Sequence, residues 1–405
     1  MRKKHLFTII FIIILSIVLL NKIKILDTDT SDQNPMENIV ENNSSLDKET
    51  FSEDPIISYE EKTANISLLA VGDIMFHMPQ LKSAKTQEGS YDFVPVFNHV
   101  KKYIQESDIS IANFETVTAG REKGYSGFPR FNSPKQSLLA LSEVGFDILS
   151  TANNHSLDQG REGIISTLKN IEEYGLKSIG TYDKLGSEPL IQEVQGIDLG
   201  FLSYTYGVNG LESLLSKDEL SYMINLIDEE KIKMDIESLK DKDVDLIVIF
   251  IHWGHEYHKE PSEYQISLGN KMVEWGANII LGSHPHVIQK SEIIEYKGKE
   301  NFIIYSMGNF LSNQRESTMG NPYTEDGVMV KINIEKDFSN NNTLIKDIEY
   351  IPTWVHRYTE DNRIKFEILP VLDILGEKSE IDLNSDILLR INKSYSDTME
   401  VLNIK

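Results

Sequence analysis

Eight residues that can do chemistry stand just after short apolar runs. Asp73 follows LLAVG, Glu115 follows IANF, and Asn153, Asn154 and His155 follow ILSTA. His252 follows IVIFI, and His284 and His286 follow IILGS. Taken singly each has a plain reading: Gly72-Asp73 is a turn, Asn153-Asn154-His155 a helix cap or loop, His252 a satisfied core histidine. Together they place carboxylates, amides and imidazoles at the carboxyl ends of strands, where open α/β sheets bind ligands. With no cysteine in the chain, this donor set suits Mn, Fe, Zn or Mg rather than a thiolate zinc knot. Two such ions about 3.5–4 Å apart, bridged by a carboxylate, activate water and neutralise a transferring phosphoryl group. His284 and His286 flank Pro285; along an extended backbone they stand about 6–7 Å apart. They can therefore serve adjacent ions or opposite sides of one site.

The elements that must position these residues alternate. ISLLAV, ISIANFE, FDILS, LKSIGTY, IDLGFLSYT, DLIVIFI, NIILGS and NFIIYS read as strands. VFNHVKKYIQE, PKQSLLALSEV, GREGIISTLKNIEEY, EEKIKMDIESLKDK and SEYQISLGNKMVEW read as helices, and Gly145 marks the end of the second. Strands alternating with helices imply a sheet with helices on its faces. GFLSY with DLIVIFI, or NFIIY with GVMVKINI, are candidate mixed or antiparallel pairs. Beyond Asn313 the pattern weakens to a strand GVMVKINIE, an irregular IEYIPTWV and an amphipathic stretch from about Asn384.

A net charge of -23 argues against a nucleic-acid surface, and no GxxxxGK[ST] or GxGxxG loop supports a nucleotide-binding fold. At the N-terminus Arg2, Lys3 and Lys4 precede an apolar run, Leu6–Leu20, followed by Lys22 and Lys24. The run is short against the roughly 20 residues of a spanning helix, and no small-residue cleavage site follows it. An uncleaved signal anchor is the favoured reading, with a cleaved signal peptide as the alternative. The leading basic cluster places the rest of the chain outside the cell. Residues 27–65 hold eleven acids and two lysines, a solvated spacer rather than a packed element.

The ordered set GDIMF, ANFETV, STANNHSLDQG, GTY, IHWGHEY, LGSHPHVIQ and YSMGNF resembles the CapA family of capsule and poly-γ-glutamate biosynthesis proteins, over about Ile66 to Leu311. That family is similar in fold to the calcineurin-like metallophosphoesterases. The resemblance implies an α/β four-layer sandwich, two mixed β-sheets flanked by helices, preceded by the transmembrane anchor. It divides the chain into 1–26 (anchor), 27–64 (spacer), 65–315 (phosphoesterase-like domain) and 316–405 (strands and a helix completing or appended to it). It further implies two divalent metal ions. Asp73 and His286 would hold the first, Asn154, His252 and His284 the second, and Glu115 would bridge them. His155 would face the substrate as general acid or phosphate contact. Asn153, Asp158, Glu256 and Asn309 take supporting or substrate-facing places. Asp158 organises its loop, Glu256 orients His252 or a ligand water, and Asn309 hydrogen-bonds behind the ligands. Arg130 or Arg121 could pair with an anionic substrate.

Two departures from the phosphoesterase pattern stand out. Met75 occupies the place of a histidine ligand, and a thioether is a poor ligand for a hard ion. His77, on the same face of an extended strand, could substitute. The bridging carboxylate is a glutamate rather than an aspartate. By resemblance the protein is expected at the cell membrane, single-pass, with its globular part outside. There it would work with a membrane-bound polymer synthesis and export complex on an anionic polymer or phosphoester substrate. Two readings of its role stand: a metal-dependent hydrolase, or a non-catalytic binding or scaffold component of that complex.

Overall fold

The computed structural model describes residues 62–376, 381 and 383–403. The anchor and all but the end of the spacer expected from the sequence lie outside these residues. No helix among the described residues is long and apolar enough to cross a membrane.

Fourteen strands form among the described residues, and they assemble into two sheets. They are β1 (Thr63–Ile74), β2 (Ile109–Phe114), β3 (Ile148–Ser150), β4 (Lys177–Ile179), β5 (Leu190–Val194), β6 (Ile197–Thr205) and β7 (Leu246–His252). The rest are β8 (Ile279–Ser283), β9 (Ile288–Tyr296), β10 (Lys299–Met307), β11 (Asn309–Leu311), β12 (Asp326–Asp337), β13 (Asn342–Glu360) and β14 (Arg363–Pro370). The first sheet runs β14-β13-β12-β1-β2-β3-β4, with β11 pairing off β1; the second runs β5-β6-β7-β8-β10-β9. In each, a parallel block is bordered by antiparallel strands, so both sheets are mixed.

The period-2 alternation of the strands builds the layers. On β1, Leu68 and Ala70 pack with Phe201, Val248, Phe250 and Leu281 of the second sheet. The alternate residues Leu69 and Val71 pack with Leu138, Leu141 and Val144 of the helix Gln136–Val144. On β7, Ile247, Ile249 and Ile251 turn outward to Ile232, Ile236 and Leu239 of Glu229–Asp241, and to Leu268, Met272 and Val273 of Glu263–Trp275. The order of layers is helix, sheet, sheet, helix. Strands buried on both faces need no polar alternation, which is why their sequences read as unbroken apolar runs.

Two expectations are corrected and one pairing is found. NFIIY (in β10) and GVMVKINI (in β12) do not pair: β10 lies between β8 and β9, and β12 between β1 and β13. GFLSY and DLIVIFI do pair, as parallel β6 and β7. IEYIPTWV is not irregular but lies within β13, where Pro352 is opposite Val328 of β12. Pairing with β14 begins only at Thr353, so Pro352 sits on a stretch of β13 that is still an edge, the place a strand tolerates proline.

The two sheets close on each other near the ends of β1 and β8. Asp73 donates its backbone N–H to Gly308 O at 3.0 Å. An alanine Cβ at Gly72 would meet Gly308 O at 1.9 Å, and within the second sheet one at Gly282 would meet Tyr305 O of the neighbouring β10 at 2.0 Å. Only glycine permits these backbone approaches.

Candidate metal centre

This closure brings strand ends of both sheets to one place. Asp73, Glu115 and Asn154 come from the first sheet and its loops, and His252, His284 and His286 from the second; all six are buried. Within them two groups, Glu115-His284-His286 and Asp73-Glu115-His252, each keep one ligand atom per residue within 4.8 Å of the others. Glu115 belongs to both.

Finer geometry sets pairs around Glu115. Asp73 Oδ2 lies 3.0 Å from His286 Nδ1, which in the neutral ring puts the proton on Nδ1 and the lone pair on Nε2. Asn154 Oδ1 lies 3.1 Å from His252 Nε2. Glu115 Oε1 is 3.7 Å from His252 Nε2 and 3.8 Å from His286 Nε2. Asn154 Oδ1 and His252 Nε2, about 3 Å apart, match two ligands of one ion with bonds near 2.1 Å, while the His286 ring, held by Asp73, presents Nε2. The backbone at His284 and His286 is not extended as the sequence suggested. Both residues have positive φ, 95° and 57°, and their rings stand 5.9 Å apart. Left-handed backbone at non-glycine residues is strained, and here it turns both rings into one site.

The residues fit a cation. Glu115 Oε1 and His284 Nδ1 are buried without a hydrogen-bond partner, a costly state for polar atoms that a bound ion relieves. Burial, and then Asp73, raise the Glu115 carboxyl well above its usual range. Burial pushes His252 well below the ordinary histidine value and His284 down to about 3, each reinforced by neighbouring imidazoles. The rings are thus held neutral, the form that ligates.

The supporting residues sort themselves by contact. Asn153 Nδ2 donates to Asn113 Oδ1 at 3.1 Å and Phe114 O at 2.9 Å, joining the NNH loop to β2. His155 Nδ1 lies 2.8 Å from Asp158 Oδ2, which also takes the Phe131 N–H at 2.6 Å. Asn309 Nδ2 donates to His286 O at 3.3 Å and Thr324 O at 2.9 Å, bracing the histidine loop from behind. Glu256 is exposed, and both His252 nitrogens are engaged by Ser283 Oγ and Asn154 Oδ1, so the expectation that Glu256 orients this ring is corrected.

Met75 is buried, with its sulfur 3.8 Å from Ser312 Oγ. His77 lies outside both ligand groups, and its Nδ1 accepts the Asn313 N–H at 3.3 Å. His77→Ala is accordingly expected to leave metal content unchanged by elemental analysis; a loss of about one ion per chain would make His77 a ligand.

Sequence reasoning passed over three residues. Asn113 Nδ2 donates to Asp73 Oδ1 at 2.8 Å and lies 3.4 Å from Glu115 Oε2 and 3.3 Å from His252 Nδ1. Its signal was its place two residues before Glu115, on the same side of the strand. Ser283 was legible in the same way, as the last residue of β8. Tyr206, whose ring lies 4.5 Å from His284, follows the end of β6 directly.

Two facing mixed sheets between helical layers, with buried carboxylates, an amide and imidazoles gathered where strands end, define an α/β protein with a candidate metal centre. The chain belongs to the bacterial capsule synthesis family: residues 67–314 match the model described as Bacterial capsule synthesis protein PGA_cap. It is 30% identical over 292 residues to Capsule biosynthesis protein CapA of Bacillus anthracis, covering 70% of this chain and 66%, just under two thirds, of that one. It is 30% identical over 278 residues to PGA biosynthesis protein CapA of Bacillus subtilis (strain 168), covering 67% and 68% of the two chains. Similar solved structures include the calcineurin-like phosphoesterase YfkN from Bacillus subtilis, at TM-score 0.42 and 13% identity over 84% of this chain and 98% of that one. A phosphatase from Mycoplasma pneumoniae matches at TM-score 0.42 and 15% identity over 72% and 94%.

Proposed function

We propose that this protein is a metal-dependent hydrolase of phosphoester type, acting in the synthesis, export or retention of an anionic capsule polymer such as poly-γ-glutamate. In this reading Asp73, Glu115, Asn154, His252, His284 and His286 hold two divalent ions, with Glu115 shared. The observation that carries it is Glu115 Oε1, buried, without a hydrogen-bond partner, and within 3.8 Å of imidazole nitrogens of His252 at the end of β7 and His286 in the loop after β8. Bound there, divalent ions would supply an activated water and charge neutralisation for the substrate. The chain's own residues would do the rest. Asp158 orients His155 through Nδ1, leaving Nε2 to exchange a proton with a substrate oxygen. Asn113 and Asn153 hold the carboxylates and the NNH loop in register. The family membership supports the polymer assignment. The apolar N-terminal run supports a single-pass anchor with the folded part outside the cell, beside a membrane-bound synthesis and export complex.

A second reading has its own observation. Met75 is buried where the phosphoesterase pattern has a ligand, which favours a binding or scaffold role with the centre used for structure. Metal analysis of the purified protein paired with phosphodiester and phosphomonoester assays separates the two. The hydrolase reading expects about two ions per chain, and a His155→Ala protein that keeps its metal but loses about 10²–10⁴-fold in rate. Absence of bound metal, with full polymer production by an Asp73→Ala/His284→Ala strain, would leave the scaffold.

A further inference from the structure

Beside the buried centre lies an open groove of about 620 Å³, lined among others by Lys123, Phe128, Pro129, Arg130, Gln159 and Leu214. We propose that this groove is a subsite for a polymer chain carrying repeated carboxylates, which it leads to His155; the inference rests on the hydrolase reading above.

The charge is the first observation. The chain carries 63 acids against 40 lysines and arginines, so its surface repels a polyanion in general. The segment 120–130 is an exception, with Arg121, Lys123 and Arg130 against Glu122 alone. Among the described residues neither Lys123 nor Arg130 has a carboxylate within ion-pair distance. Each is instead tethered by a backbone carbonyl: Lys123 Nζ donates to Gln159 O at 3.2 Å, and Arg130 Nε to Asp158 O at 2.7 Å. The remaining guanidinium donors of Arg130 are left for a ligand, and a guanidinium engages a carboxylate in bidentate fashion.

Position is the second. Arg130 is tied to the residue that orients His155, and Phe131, next in the chain, sets its ring 4.7 Å from His155 and 5.2 Å from His77. A ligand held at Arg130 is therefore one residue from Phe131, whose ring packs against His155. The third observation is the apolar lining. Phe128 is 73% exposed and Leu214 46%, surfaces that suit the methylenes of a γ-linked glutamate chain better than a chain of phosphates.

The test is fluorescence anisotropy with a labelled γ-linked glutamate oligomer and its uncharged amide counterpart, on the metal-loaded protein. The wild type should bind the charged oligomer and not the amide. Lys123→Glu/Arg130→Glu should weaken binding at least tenfold with metal content unchanged. Lys123→Arg should bind within a few-fold of wild type, and Lys233→Glu, on the exposed side of a remote helix, should match it. Equal binding by the double charge reversal, equal binding of the amide, or an equal loss in Lys233→Glu would overturn the subsite. Because binding is read without turnover, a protein that binds through these residues yet hydrolyses nothing would sink the hydrolase and leave the groove standing.

Discussion

Glu115→Gln is expected to be the more stable protein without metal at neutral pH and the less stable one with it. In the metal-free wild type, burial and Asp73 raise the Glu115 carboxyl well above its ordinary value, so the folded state holds a proton that the unfolded chain releases. Stability conferred by that proton is complete below the unfolded value and is lost as pH rises towards the raised one. Glutamine keeps the shape and cannot ionise, so metal-free Glu115→Gln should match the wild type near pH 4 and exceed it at pH 7–8. The neighbouring histidines act in the opposite direction. His252 and His284 are held neutral when folded, so both proteins should lose stability as pH falls below the unfolded histidine value of about 6.5. With a saturating divalent ion the order inverts. At a hundredfold excess over Kd the wild type should gain about 2.7 kcal/mol, while Glu115→Gln, lacking the shared carboxylate, gains little and loses hydrolysis. Thermal unfolding at pH 5 and pH 8, with and without Mn, reads all four corners. Equal stabilisation of both proteins by metal would place the ions elsewhere.

The strand-end clusters were legible because apolar runs ending in Asp, Asn or His carry their own position. Both faces of β1 and β7 are buried, so the runs are long and their ends sharp. What could not be read is how the two sheets face each other, since that depends on contacts far apart in sequence. β5 and β9 escaped notice for a related reason: both are half-exposed, with mixed polarity, and join β6 and β10 through Gln195-Gly196 and Lys297-Gly298 turns of positive φ. Neither pair of turn residues is the Asn-Gly or Asp-Gly that flags such a hairpin. The histidine loop illustrates the limit most clearly. HPH was visible as a ligand pair, but the left-handed backbone that aims both rings inward has no signature in residues that ordinarily avoid it.

Glycine 72 shows how much of the centre depends on backbone contact. Its φ is not positive, so alanine would suffer no conformational strain there; the obstacle is space. The added Cβ would lie 1.9 Å from Gly308 O, 3.1 Å from its carbonyl carbon and 3.2 Å from Met307 Cβ. Backbone cannot rotate away as a side chain does, so β1 must separate from the β10–β11 junction by more than an ångström. That movement would stretch the hydrogen bonds from Asp73 N to Gly308 O and from Met75 N to Leu311 O, now 3.0 and 2.8 Å, and would carry Asp73 away from His286. Gly72→Ala is therefore expected to cost about 3 kcal/mol or more, at or above the upper end of what overpacking a core costs, because the clash is with backbone. It should also abolish metal binding in whatever protein still folds. Gly207→Ala is the matched control: nothing lies within 4 Å of its added Cβ and its φ is unrestricted. That change should be neutral or stabilise by about 0.4–1 kcal/mol through the unfolded state. Soluble yield, Tm and bound metal measured on the pair decide the matter. A Gly72→Ala protein with wild-type Tm and full metal content would mean that the sheets do not meet at this carbonyl, and that Asp73 reaches the histidines by some other path.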